Sequence, residues 1–262
     1  MTYKTEVFGS MAKTLTGENV SVSIGQGGQV DLASRPYRIV IPENGLPNSW
    51  LAEIGLGLVQ ESNWRELGGK ITSLTGQTLD YNELIALNYL CQRIVLYHES
   101  GHILFSPRKP IDERKYPNRQ KAELIKSIHN WLEDSRIENC MADKYPPLKQ
   151  KFDLLNRIYI QSGHEKMKDV SWPDESEPVK LAYYEIMELE HNILFGSQPL
   201  KKNLDRKKEL ARIRAEVMKN LNKIRPSELV KHSEYLAGLY IKDQSQDQDQ
   251  DQDKEGDQEG DQ

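Results

Sequence analysis

Residues 80–105 read DYNELIALNYLCQRIVLYHESGHILF. Asp80 is a good helix N-cap, and Glu83 three residues on completes an acidic form of the capping box. At 100° per residue, Leu84, Leu87, Cys91, Ile94, Val95, His98, His102 and Phe105 share one face, so the spacing predicts a single amphipathic helix. Pro107 stops it, because the residue before a proline disfavours helical backbone. Inside the helix stands His98-Glu99-Ser100-Gly101-His102, an H-E-x-x-H motif. Histidines four apart lie one turn apart on the same face, so both imidazoles can reach one ion. Glu99 points about 100° away and reaches a water on that ion, not the ion itself. Zn2+ lowers the pKa of such a water to about 7. A carboxylate can take the proton and later return it to a leaving amine. Gly101 permits another segment to approach the helix closely. The opposing reading, two core histidines on an apolar face, would bury two polar rings with no partner evident in the sequence.

Two histidines leave zinc under-coordinated, so a third ligand is needed. No third histidine follows at the metzincin spacing, where Pro107 and Arg108 stand. A second helix is predicted over about 119–143, ending before Pro146-Pro147. It carries HNWLEDSRIE at 129–138. A glutamate on a helix packed beside the first is the gluzincin solution. Helical geometry leaves two candidates open. Glu133 lies opposite the stripe of Leu124, Ile128, Trp131 and Ser135, whereas Asp134 lies about 100° away and aligned with Glu138.

Outward from these helices the chain changes character. The first ~45 residues read as strands and turns, with VSVSIGQGGQVDL (20–32) alternating around a glycine-rich turn and PYRIVIPENG (36–45) forming a second short strand. Residues 46–79 are mixed and receive no assignment. Helices are predicted near 148–165, 177–194, 203–223 and 226–241, with Trp172-Pro173 in a loop. In the basic stretch 201–225, Leu204, Leu210, Ile213, Val217 and Leu221 form a stripe, so its charges read as the solvated face of a packed helix. The fold class is α+β and mainly helical, with a small amino-terminal sheet, an active-site helix and a helical carboxy-terminal part. One domain is expected over 1–242, its metal-site helices at about 80–143.

The formal net charge of -5 is unevenly spread. Residues 243–262 carry -8 and hold no apolar side chain, so they read as a disordered acidic tail. The remaining residues balance at +3, which gives no case for nucleic-acid binding on bulk charge. No apolar run is long enough for a membrane span, and the first twenty residues lack a signal-peptide core. Cys91 and Cys140 make no disulfide framework, and a cytoplasmic location is the expectation.

HESGH followed by NWLEDSRIE resembles zinc metallopeptidase-like proteins related to the CobT cobaltochelatase subunit, which often carry a von Willebrand A domain. Their pattern is H-E-x-G-H, then N-x-x-E-D-x-R-I-E on the next helix. Here it falls on His98, Glu99, Gly101, His102, Asn130, Glu133, Asp134, Arg136, Ile137 and Glu138. An upstream β-hairpin ending in Ile39-Val40-Ile41-Pro42 is also similar, and the resemblance spans roughly 20–145. It implies a zincin-like, gluzincin-type domain that binds Zn2+ through His98, His102 and Glu133, with Glu99 as base. Asp134, Arg136 and Glu138 would orient the ligands. His129, one turn before Glu133, stands beside the site as a hydrogen-bond donor or as packing. Tyr145 is a candidate oxyanion donor. The implied activity is hydrolysis of a peptide or protein substrate. The alternative is a non-catalytic, zinc-stabilised module that docks an AAA ATPase or a von Willebrand A protein in trans. Such relatives continue through an acidic linker into the von Willebrand A domain. Here the acidic segment is present without any D-x-S-x-S motif.

Overall fold

The computed structural model describes residues 2–47, 69, 71–74, 79–107, 111–168, 170–196, 204–220 and 223–241. The acidic tail and Leu221 lie outside them. The described chain is mostly helical and contains one three-stranded sheet.

The amino terminus departs from the strand-and-turn expectation, because α1 covers Thr2–Thr16. Phe8, Met11, Ala12 and Leu15 recur at helical spacing, and Phe8 and Ala12 are fully buried. The sheet comprises β1 (Val20–Gly25), β2 (Gln29–Asp31) and β3 (Tyr37–Pro42). The expected hairpin ending in Ile39-Val40-Ile41-Pro42 is present as β2 and β3, which pair antiparallel, whereas β1 and β2 on either side of the glycine-rich turn do not pair with each other. The order is β1-β3-β2, with β1 parallel and β2 antiparallel to β3. The reason is hydrophobic: β3 buries Tyr37, Ile39 and Ile41 and takes the centre, while the more polar β1 and β2 flank it.

The helices follow the sequence closely. α2 is Tyr81–Phe105, capped by Asp80 in a capping box with Glu83. α3 is Arg119–Lys144, capped by Asn118. α4 (Leu148–Lys168), α5 (Pro178–Phe195), α6 (Leu204–Lys219) and α7 (Pro226–Gly238) complete the helical part. None of the described helices is long and apolar enough to cross a membrane. α2 is clamped to the end of β3. Asn88 Oδ1 accepts from the amides of Gly45 and Leu46 at 2.8 and 2.9 Å, and Gln92 Nε2 donates to the Pro42 carbonyl at 2.9 Å.

Two hydrophobic cores result. One joins α1, the sheet, α2 and part of α4; the other joins α3, α5, α6 and α7. The solvated-face reading of α6 holds only for part of its charges. Arg212 pairs outside with Glu209 and Glu216. Arg206, Lys207 and Arg214 instead turn inward to Glu185, Glu188 and Glu190, three buried acids of α5. Uncompensated, those carboxylates would be costly to bury, so α6 docks through charge as well as through its stripe.

Between α4 and α5, His164 and His191 stack with ring centroids 3.6 Å apart. Burial, then the neighbouring His164 and Lys168, hold His191 down at about 4, and burial also lowers His164. An unfolded imidazole titrates near 6.5. As pH falls from about 6.5, the unfolded chain therefore takes up protons before the folded one, and stability declines until about pH 4. Urea midpoints measured across this range should fall in the native chain and fall less steeply in His191→Phe. Equal slopes would remove the pair as the cause.

Candidate metal centre

The site lies where the two cores meet, at the crossing of α2 and α3. Close approach is required there. A Cβ on Gly101 would lie 2.9 Å from Met141 Cγ and 3.1 Å from Ile137 Cδ1. The glycine within the motif thus lets α3 pass directly against α2.

At the crossing, three potential ligand atoms converge. Asp134 Oδ1 is 3.2 Å from His102 Nε2 and 3.6 Å from His98 Nε2. The opposite face of each imidazole is anchored. His98 Nδ1 is 2.9 Å from Glu138 Oε1, and Glu138 Oε2 accepts from Asn156 of α4 at 2.8 Å. His102 Nδ1 is 2.8 Å from Ser106 Oγ, whose hydroxyl donates to Glu133 Oε1 at 2.5 Å. Both Nδ1 protons are thereby used, so neutral rings direct two Nε2 lone pairs at a carboxylate oxygen. That arrangement is repulsive unless a proton or a cation lies between. On His98 the surroundings favour a proton in that role. Burial opposes charge on His98, yet hydrogen bonds to Asp134 and Glu138 hold its pKa well above 6.5. Burial would likewise raise Asp134, but His102 and His98 hold it well below the usual carboxylate range.

The donor set fits zinc. Tetrahedral Zn2+ with bonds of about 2.0–2.1 Å separates its ligand atoms by roughly 3.3 Å, close to the two distances to Asp134. Two imidazoles and one carboxylate also leave a fourth position for a reacting group, as in catalytic zinc sites. His98, His102 and Asp134 are the group of three potential ligands found among the described residues.

The family-based expectation for the third ligand, Glu133, does not match this geometry. Glu133 is buried and saturated. Its Oε2 accepts from Arg136 Nε and its Oε1 from Arg136 Nη2, both at 2.7 Å, in addition to Ser106. Arg136 Nη2 also donates to the Phe105 carbonyl at 2.8 Å, tying the end of α2 to α3. Glu133 acts through Ser106 on His102, and Asp134 takes the position facing both imidazoles. Arg136 and Glu138 are interior residues of this network, not an exposed cluster.

Glu99 is buried on the motif's other side, and burial raises its pKa despite His98 and His102. The glycine-rich turn before β2 presses on it. A Cβ on Gly28 would lie 2.8 Å from Glu99 Oε1 and 2.6 Å from Val95 Cγ1. His129 is buried with neither ring nitrogen hydrogen-bonded, and it lines a cleft of about 290 Å³ with the metal-facing residues and β2. Burial keeps it on the neutral side. Tyr145 is elsewhere: its hydroxyl donates to the Leu15 carbonyl.

Sequence reasoning missed three contributors. Ser106 follows His102 by four residues, a spacing that could have marked it. Gly28 sat in a turn already visible as glycine-rich. Asn156, from a separate helix, left no local signal. No protein-family model matches the chain, and neither the curated proteins nor the solved structures contain a match to it.

Proposed function

We propose that the chain is a zinc-dependent metallopeptidase in which His98, His102 and Asp134 hold the metal and Glu99 is the general base. One observation carries this reading. Two anchored imidazoles and a carboxylate oxygen converge on one point, beside a buried glutamate on the same helix. Bound there, zinc supplies Lewis acidity, polarising a carbonyl and acidifying water. Glu99 accepts the proton of the attacking water at its carboxylate and passes it to the leaving amine. Its burial favours that role by bringing its pKa toward the working range. Glu138 and Ser106 fix the ring orientations, and Gly28 leaves room for the Glu99 carboxylate. A zincin-like relationship draws support from the sheet packed on the motif helix and from a carboxylate on the next helix, but that carboxylate is an aspartate and not the glutamate of the gluzincin pattern.

A second reading is a structural zinc staple in an interaction module, and one observation favours it: the three candidate ligands join two separate cores. Glu99 separates the two, since a staple has no use for a buried base. Metal analysis and a proteolysis assay on unfolded casein decide between them. One zinc per chain with chelator-sensitive cleavage is expected. One zinc with no cleavage of the unfolded protein would leave the staple. Glu138→Gln should weaken zinc binding about 10- to 100-fold, read by competition with a chromogenic chelator. Unchanged affinity would show that Glu138 does not orient His98.

A further inference from the structure

The metal-facing residues border a second, larger space. A cavity of about 660 Å³ begins at His98, Glu99 and Asp134 and extends between α3, α4, α5 and α6. One wall is a continuous face of α3 from Trp131 to Ala142, a length of roughly 16 Å at 1.5 Å per residue. The opposing walls are largely apolar, with Phe152, Leu155, Ile160, Leu194 and Met218, and Asp153, Asn156 and Tyr159 of α4 also line them. The cations among its described lining residues are Lys149 and Arg214. Lys149 is exposed, and Arg214 is engaged by Glu190, with Nη2 to Oε2 at 2.8 Å. Glu190 also accepts from Trp131 Nε1 at 2.8 Å, which fixes the indole in the wall.

We infer that this cavity is a specificity pocket for a large apolar side chain, aromatic or long aliphatic, next to the bond that is cut. This rests on the metallopeptidase reading of the adjoining site. Continuity selects the occupant, because a chain held at His98 and Asp134 has this space beside it. Chemistry selects the side-chain class. The walls offer dispersion contacts and desolvation, and an acidic side chain entering them would meet Asp134 and Glu138 with Arg214 already occupied. Burying one phenyl ring is worth roughly ten- to a hundredfold in affinity.

The test compares two hydroxamates on the zinc-loaded full chain by calorimetry: acetohydroxamic acid and 3-phenylpropanohydroxamic acid. The phenyl compound should bind at least about tenfold more tightly. Leu194→Trp, which fills the cavity away from the metal, should abolish that gain and leave acetohydroxamate affinity unchanged. Equal affinities in the native chain would overturn the pocket while the metal centre stood. A gain that survived Leu194→Trp would place the ring elsewhere and also overturn it. Binding of neither compound would overturn the metal-site reading and the pocket with it.

Discussion

Glu99→Gln should retain one zinc per chain and lose peptide hydrolysis by about 10²- to 10⁴-fold, the usual contribution of a positioned general base. The substitution is nearly isosteric, so the contact with Gly28 is preserved. It removes a charge that is buried, and burial already disfavours that charge. The variant should therefore be at least as stable as the parent. Metal content by mass spectrometry and initial rates on a quenched peptide check both halves. A fully active variant would sink Glu99 as the base. A variant that had lost zinc would show Glu99 to be a ligand.

Neighbouring acids on α3 should fail in opposite ways. Asp134→Asn removes the carboxylate that faces both imidazoles, and zinc affinity should collapse with little change in folding. Glu133→Gln leaves the Arg136 guanidinium buried without its counter-charge, a defect worth about 3–5 kcal/mol of stability. Zinc affinity should then fall only as far as His102 loses its orientation through Ser106. Chelator competition and chemical denaturation, run on both variants, separate the cases. If Glu133→Gln lost zinc and kept its stability, Glu133 would be the ligand and the assignment would reverse.

The difference between these acids also shows what sequence could convey. α2 was legible from Asp80 to Phe105 because its cap, stripe and terminating proline are local signals. Local spacing likewise placed His98 and His102 together. Whether Glu133 or Asp134 faces them depends on how α3 rotates about its axis. That rotation is set by Ile137 and Met141 packing on Gly101 and by Arg136 reaching the Phe105 carbonyl. Both are contacts between distant segments. The sheet order was hidden for the same reason, since β1 pairs across fifteen and more residues with β3, and not with the neighbouring β2. α1 was a different kind of miss: its period was present in Phe8, Met11, Ala12 and Leu15 but masked by threonines that favour strands. The inward pairs of α6 needed knowledge that α5 buries three glutamates, which burial rules argue against unless partners exist.

The seam between the cores has a consequence for the cell that makes this chain. The two histidines belong to a helix anchored in one core, and Asp134 belongs to a helix anchored largely in the other. A nascent or damaged chain with a single core formed holds an incomplete ligand set and no aligned base. Hydrolytic power, on the proposed reading, is then withheld until both halves have folded and met. On that reading, meeting of the two halves is itself the event that switches the site on.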